Sequence, residues 1–253
     1  MRILIVAAGT LIVCFLALMT TKFWGRSQVY PVYSHPFLTE PDNSPAVIFI
    51  KPKPSDINMA LATENLYLYL DVAMTEDHIL VFPLEKFEKG VRNYKLEELK
   101  GKAISVEEMS KHFGPNRKII FNLLENTRAQ HQVFIENMKK INLDKGESFL
   151  VMSEYEAPIK ALKELAPAYI YGTTKPEILK IVAMQSMHIL EAATIRADIL
   201  VHPLKLRGQD FYNEVLITEL TKRHKKIIIG PVTPAELSKA EALKPFGIIL
   251  DQQ

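Results

Sequence analysis

Cysteine occurs once in the 253 residues, as Cys14. An intramolecular disulfide is therefore excluded, and so is every zinc motif built on paired cysteines. Glycine is scarce too, ten residues against fifteen prolines. The glycines nowhere cluster into a loop that could cradle phosphates, and neither H-E-x-x-H nor G-x-S-x-G occurs. An excess of one charge is also missing, since 31 basic and 29 acidic side chains leave a net +2. Bulk attraction to nucleic acid does not follow from that near-balance, so no nucleic-acid partner is expected. Any anion site must be local.

Long apolar runs are confined to one place. Ile3 to Thr21 carries no charge and reads "ILIVAAGTLIVCFLALMTT", with Arg2 before it and Lys22, Trp24 and Arg26 after it. Nineteen uncharged residues suffice to span a bilayer as a helix. A cleaved signal peptide would want small residues before the cut, and a buried helix would want a polar stripe. Neither is present, so residues 1–26 are expected to be an uncleaved membrane anchor or signal segment. The basic residues on its two sides nearly balance, leaving its orientation open. Cys14 sits inside the run as one more apolar side chain. Residues 27–45 ("SQVYPVYSHPFLTEPDNSP") are polar, proline-rich and aperiodic, which predicts a linker or irregular arm.

From Ala46 to Gln253, short apolar runs alternate with amphipathic stretches. Strands are expected at 46–50, 66–72, 118–124, 148–153, 168–172, 197–202, 225–230 and 247–251. Their continuous apolar character suits parallel strands covered on both faces. Helix starts are marked by Thr174-Lys-Pro-Glu177, Thr233-Pro-Ala-Glu236 and Ser105-Val-Glu-Glu108, each with capping-box spacing. Val133, Phe134, Met138 and Ile141 fall on one helical face, and Phe211, Val215, Leu216 and Leu220 on another. Both are core stripes. Eight strands alternating with helices predict an α/β fold, a (β/α)8 barrel of the TIM type, with a doubly wound open sheet as the alternative. A hairpin turning at Thr75 to His78, with residues 79–82 and 85–115, makes a small insertion after strand two. No helix is expected after strand eight.

Ligands of such barrels bind at the carboxyl ends of the strands. Those ends carry Lys51, Asp71, Asn122, Leu124, Ser153, Glu154, Thr173, His202, Lys205, Pro231 and Asp251. His202 is a candidate acid or base, although a hydrogen-bonded histidine beside Pro203 is the plainer reading. Lys51, Lys53, Lys205 and Arg207 would form an anion clamp if strands one and six faced one pocket; solvated loop charges are the default.

The order "YLYLDVAMTEDHILVFPLEKF", "RNYKLEELKG", "ISVEEM", "KIIFNLL", then "FLVMSEY" and "GPVTPAELSKAEALKPFGIILD", resembles the glycerophosphodiester phosphodiesterase family. The resemblance implies a TIM barrel with a small insertion, a divalent metal such as calcium or magnesium held by acidic side chains, and two histidines for proton transfer. Carried over to this chain, Asp71 keeps one member of an E-x-D pair, while Tyr69 replaces the other. Pro83-Leu84 stands for H-D, Asn122 and Leu124 for E-x-K, and Lys51-Pro52-Lys53 for H-R-G. (Glu125-Asn126-Thr127 matches another family tripeptide, in the wrong place.) Asp71 then looks like the remnant of a metal site, with His202 and Asp71 the remaining candidates for catalysis and Lys51, Lys53, Asn122, Lys205 and Arg207 for ligand binding. No cofactor is expected, with calcium or magnesium only if the chain is active. The expected function is a membrane-tethered, catalytically degenerate phosphodiesterase-like barrel binding a phosphate-containing small molecule or a partner protein, its globular part extracytoplasmic. A divergent active phosphoric diester hydrolase of lipid metabolism and a structural envelope protein are the alternatives. Hydrophobic plugging by Tyr69, Leu84 and Leu124 would mark the last.

Overall fold

The computed structural model describes residues 27–39, 45–64, 66–114, 117–127 and 129–252, with scattered positions between 10 and 25. Most of the expected anchor, Ile3 to Thr21, lies outside the described residues. Among the described residues no helix is long and apolar enough to cross a membrane.

Eight parallel strands form the frame: β1 (Val47–Lys51), β2 (Tyr67–Met74), β5 (Ile119–Leu123), β6 (Phe149–Ser153), β7 (Ile170–Tyr171), β8 (Ile199–His202), β11 (Lys226–Val232) and β12 (Gly247–Asp251). They are bonded in the ring order β1, β2, β5, β6, β7, β8, β11, β12, with β12 returning to β1. A single bridge, Gly172 to Ile199, closes β7 on β8, so the barrel reading holds over the open sheet. Side chains reinforce that seam. Asp198 Oδ2 accepts from the Tyr171 amide at 2.9 Å, and the Thr173 hydroxyl donates to Val201 O at 2.8 Å while accepting from Val201 N at 3.0 Å. The strand expected over 168–172 shrinks to two residues because these side chains take over the ladder. A Cβ on Gly172 would meet Met152 Cβ at 3.0 Å and Val201 Cγ2 at 3.2 Å, so the strands approach closely there.

Helices pack outside the ring: α1 (Ile57–Ala62), α2 (Val106–Ser110), α3 (Gln130–Lys140), α4 (Glu156–Leu165), α5 (Lys175–Ser186), α6 (Glu214–Lys222) and α7 (Leu237–Ala242). Of the three predicted boxes, Thr233–Glu236 forms in full and Ser105 Oγ caps Glu108 N at 3.1 Å. Glu177 instead turns to the amides of Arg196 and Ala197, leaving Thr174 without a side-chain cap. Phe211, Leu216 and Leu220 are buried, but Val215 is exposed, which removes it from its predicted stripe.

The interior of the barrel takes a side chain from every strand, Phe49, Tyr69, Ile120, Leu150, Ile170, Ile199, Ile228 and Ile249, and a second from β8, Val201. Burying each contributes about 1.5–3 kcal/mol. A further large member comes from the stretch expected as a linker. Phe37, in a short 3-10 turn (Pro36–Leu38), is completely buried against Phe49 and Phe246. Residues 28–39 thus act as an arm across the amino-terminal ends of the strands, here called the floor.

After β2 the chain turns at Thr75, whose hydroxyl accepts from Ile79 N at 3.0 Å. It continues through β3 (Leu80–Pro83) and β4 (Ala103–Ser105), both antiparallel. Ala73, Val81, Val91 and Leu99 give this insertion its own small core at the mouth of the barrel.

Candidate functional site

Period-two alternation along β2 sends Leu68, Leu70 and Val72 to the helices and Tyr69 into the barrel. Asp71 follows Tyr69 on that inner face, one layer nearer the mouth. Its register partner on β5 is Asn122, and the two side chains meet, Asn122 Nδ2 donating to Asp71 Oδ1 at 2.6 Å. From β1, Lys51 brings its Nζ to 3.2 Å from Asp71 Oδ2, both side chains about four-fifths buried. The Lys51 ammonium also lies 5.5 Å from the centre of the Tyr69 ring. Burial first, then the Asp71 charge and a hydrogen bond to it, hold the Tyr69 phenol well above its ordinary pKa. It therefore stays protonated and can only donate to the carboxylate. Asp251, opposite Lys51 in the β1–β12 register, and Glu154 add further negative charge around that phenol. Three neighbours consume the Asp71 carboxylate.

A cleft of about 680 Å³ opens between this cluster and the insertion. Lys51 and Asp71 stand at one end, and Ala73, Phe82, Pro83, Leu84 and Phe87 form an apolar wall. Leu84 and Leu124 line the cleft without filling it, while Tyr69 is buried among the side chains that fill the barrel. Glu125 also borders it. Its Oε2 accepts from Met74 N at 3.2 Å, and it takes the Arg92 amide as well, tying the rim to the insertion. Burial raises the pKa of this carboxyl, while the two amides oppose the shift. Sequence reasoning missed Glu125 as a site residue; the available signal was a carboxylate two residues beyond an apolar strand end.

The other predicted residues lie apart from this cluster. His202 ends β8, which is four steps from β2 in either direction round the ring, so it stands on the opposite wall from Asp71. Its Nδ1 is 2.8 Å from Pro203 O, a carbonyl that can only accept, so Nδ1 carries the proton. The ring packs 4.2 Å from that of Phe211, and burial lowers its pKa despite the bond to Pro203. Lys205 and Arg207 are on an exposed hairpin of β9 (Lys205–Leu206) and β10 (Gln209–Asp210). Lys53 is exposed at the start of a 3-10 turn, Pro54–Asp56. Of the four cations proposed for a clamp, Lys51 alone lines the cleft.

No family model matches the chain, and no curated protein does either. Solved structures do. A phosphodiesterase from Oleispira antarctica, in complex with the product sn-glycerol-3-phosphate, is 12% identical with a TM-score of 0.61, over 82% of this chain and 92% of that one. The fold is that of the glycerophosphodiester phosphodiesterases. An enzyme of that name from Thermotoga maritima is similar at 16% identity and TM-score 0.59, over 82% of this chain and 95% of its own. One from Agrobacterium tumefaciens is similar at 12% identity and TM-score 0.57, over 82% and 96%.

A divalent cation such as calcium wants several charged oxygens around it. Asp71 gives one carboxylate already bridged by an ammonium, an amide and a phenol. Among the described residues no three His, Cys, Asp or Glu side chains are placed to hold a metal. These residues do not fit a dication.

Proposed function

We propose that this chain is a membrane-tethered barrel that has given up metal-dependent diester hydrolysis and serves as a ligand- or partner-binding module outside the cytoplasm. The single observation that carries the reading is the Lys51–Asp71 ion pair. A side-chain cation stands against the carboxylate that a metal would need, and Asn122 and Tyr69 take its remaining acceptor sites. The open, apolar-walled cleft beside it supports binding over a purely structural role. The tether rests on the uncharged run from Ile3 to Thr21.

A divergent active hydrolase is the rival reading. It would need Asp71 and His202 to act on one phosphate, and the width of the barrel lies between their strands. The deciding experiment is calorimetric titration of the detergent-solubilised full chain with calcium and magnesium, alongside a glycerophosphocholine hydrolysis assay. No saturable metal binding and no turnover are expected. Micromolar metal binding, with metal-dependent turnover lost in Asp71→Ala, would overturn the proposal.

A further inference from the structure

We infer that the barrel rests floor-down on an anionic bilayer, with Val29 and Val32 dipping into the lipid and the mouth cleft facing the water. This rests on the tether reading and adds an orientation to it.

The arm that leaves the N-terminal segment is fixed to the floor. Beyond buried Phe37, His35 Nε2 lies 3.2 Å from Ala168 O, and Lys118 Nζ donates to Thr39 O at 2.9 Å. Upstream, Gly25 is buried so tightly that a Cβ there would collide with Glu191 O. Lys222 Nζ donates to Gly25 O at 3.2 Å, adding a second contact. Glu191 and Lys222 belong to segments leading into β8 and β11, so Gly25 is held at the floor rim. The uncharged run ends at Thr21, four residues earlier, a span of at most about 14 Å even for fully extended chain. A bilayer entered by that run must meet this end of the barrel.

The surface there suits such a neighbour. Between the two clamps, Val29 is 95% exposed and Val32 75%, although Phe37 on the same arm is buried. Beside Val32 is a groove of about 1020 Å³, on whose border Lys226 and Lys244 stand against one carboxylate, Glu241, while Lys225 donates from Nζ to Ala197 O at 2.7 Å. Apolar side chains flanked by basic ones match the layering of acyl chains beneath anionic headgroups.

The test uses the full chain in a Cys14→Ser background, labelled with a fluorophore through Val32→Cys or, separately, Leu124→Cys. Each protein is reconstituted into phosphatidylcholine–phosphatidylglycerol vesicles containing a lipid with a quencher high on its acyl chain. Loss of emission at position 32 with none at 124 is expected. Vesicle-bound protein with quenching at 124, or at neither position, would overturn the orientation while leaving the tether intact. Quenching at 32 that persists in protein-rich, quencher-free vesicles would assign the face to a second copy and overturn it too. Protein that stays in the supernatant would refute the tether, and the orientation with it.

Discussion

His202 shows how the surroundings of a strand-end histidine fix its tautomer and hold it neutral. Its Nδ1 proton is committed to Pro203 O, its backbone carbonyl accepts from the Tyr212 hydroxyl, and its ring lies against Phe211. Burial lowers its pKa below the ordinary 6.5. A lowered value means that, as pH falls past 6.5, the unfolded chain takes up a proton before the native one does. His202 therefore contributes stability that is present above pH 6.5 and lost as pH falls through its native pKa. A histidine-resolved NMR titration should place its midpoint below 6.5, and His202→Gln should flatten the acid limb of the stability curve. A midpoint above 6.5 would contradict the packing described. At this scale the sequence was half legible. Strand-end position located Asp71, Lys51 and Asn122, because alternation along a strand is local. It could not reveal that Lys53, Lys205 and Arg207 stand away from them, because that depends on the ring order of the strands.

Among the elements, the arm departs most from its expected character. A proline-rich, aperiodic stretch has no repeating pattern to read, so nothing before the fold marked Phe37 as a core residue. Truncating it should cost about 3–5 kcal/mol, as for other fully buried aromatics. Exposed Val32→Ala in the same arm should stay within about 0.5 kcal/mol. Urea unfolding in detergent can compare the two, and equal effects would mean that the arm does not complete the core. The strands themselves were visible as apolar runs, and the boxes at Thr233 and Ser105 as spacing. Glu177 had the same spacing but found stronger use on the amides of Arg196 and Ala197, which a local motif cannot foresee.

For the whole molecule, closure depends on the seam between β7 and β8. Where backbone pairing is short, Asp198 and Thr173 extend it with side-chain oxygens. Asp198→Ala should leave the Tyr171 amide without its acceptor and cost about 1–3 kcal/mol, the usual penalty for an orphaned buried group. Hydrogen exchange should quicken at Tyr171 while amides of β5, on the far side, keep most of their protection. Uniform loss across all strands would instead mean that the ring opens only as a unit. Ring closure was expected from the count of strands, yet one of the eight is barely a strand. A sequence pattern counts apolar runs; it does not weigh the hydrogen bonds between them.

The floor also has a consequence in time. Phe37 is among the first residues of the globular part to leave a ribosome, and Phe246, which it touches, is among the last. The tilted contact of these rings cannot form until the last stretch of the barrel has been made. Contacts so distant along the chain are slow to establish. During synthesis the emerging barrel must therefore wait with its lower end open and Phe37 bare until the strand Gly247–Asp251 arrives and seals it.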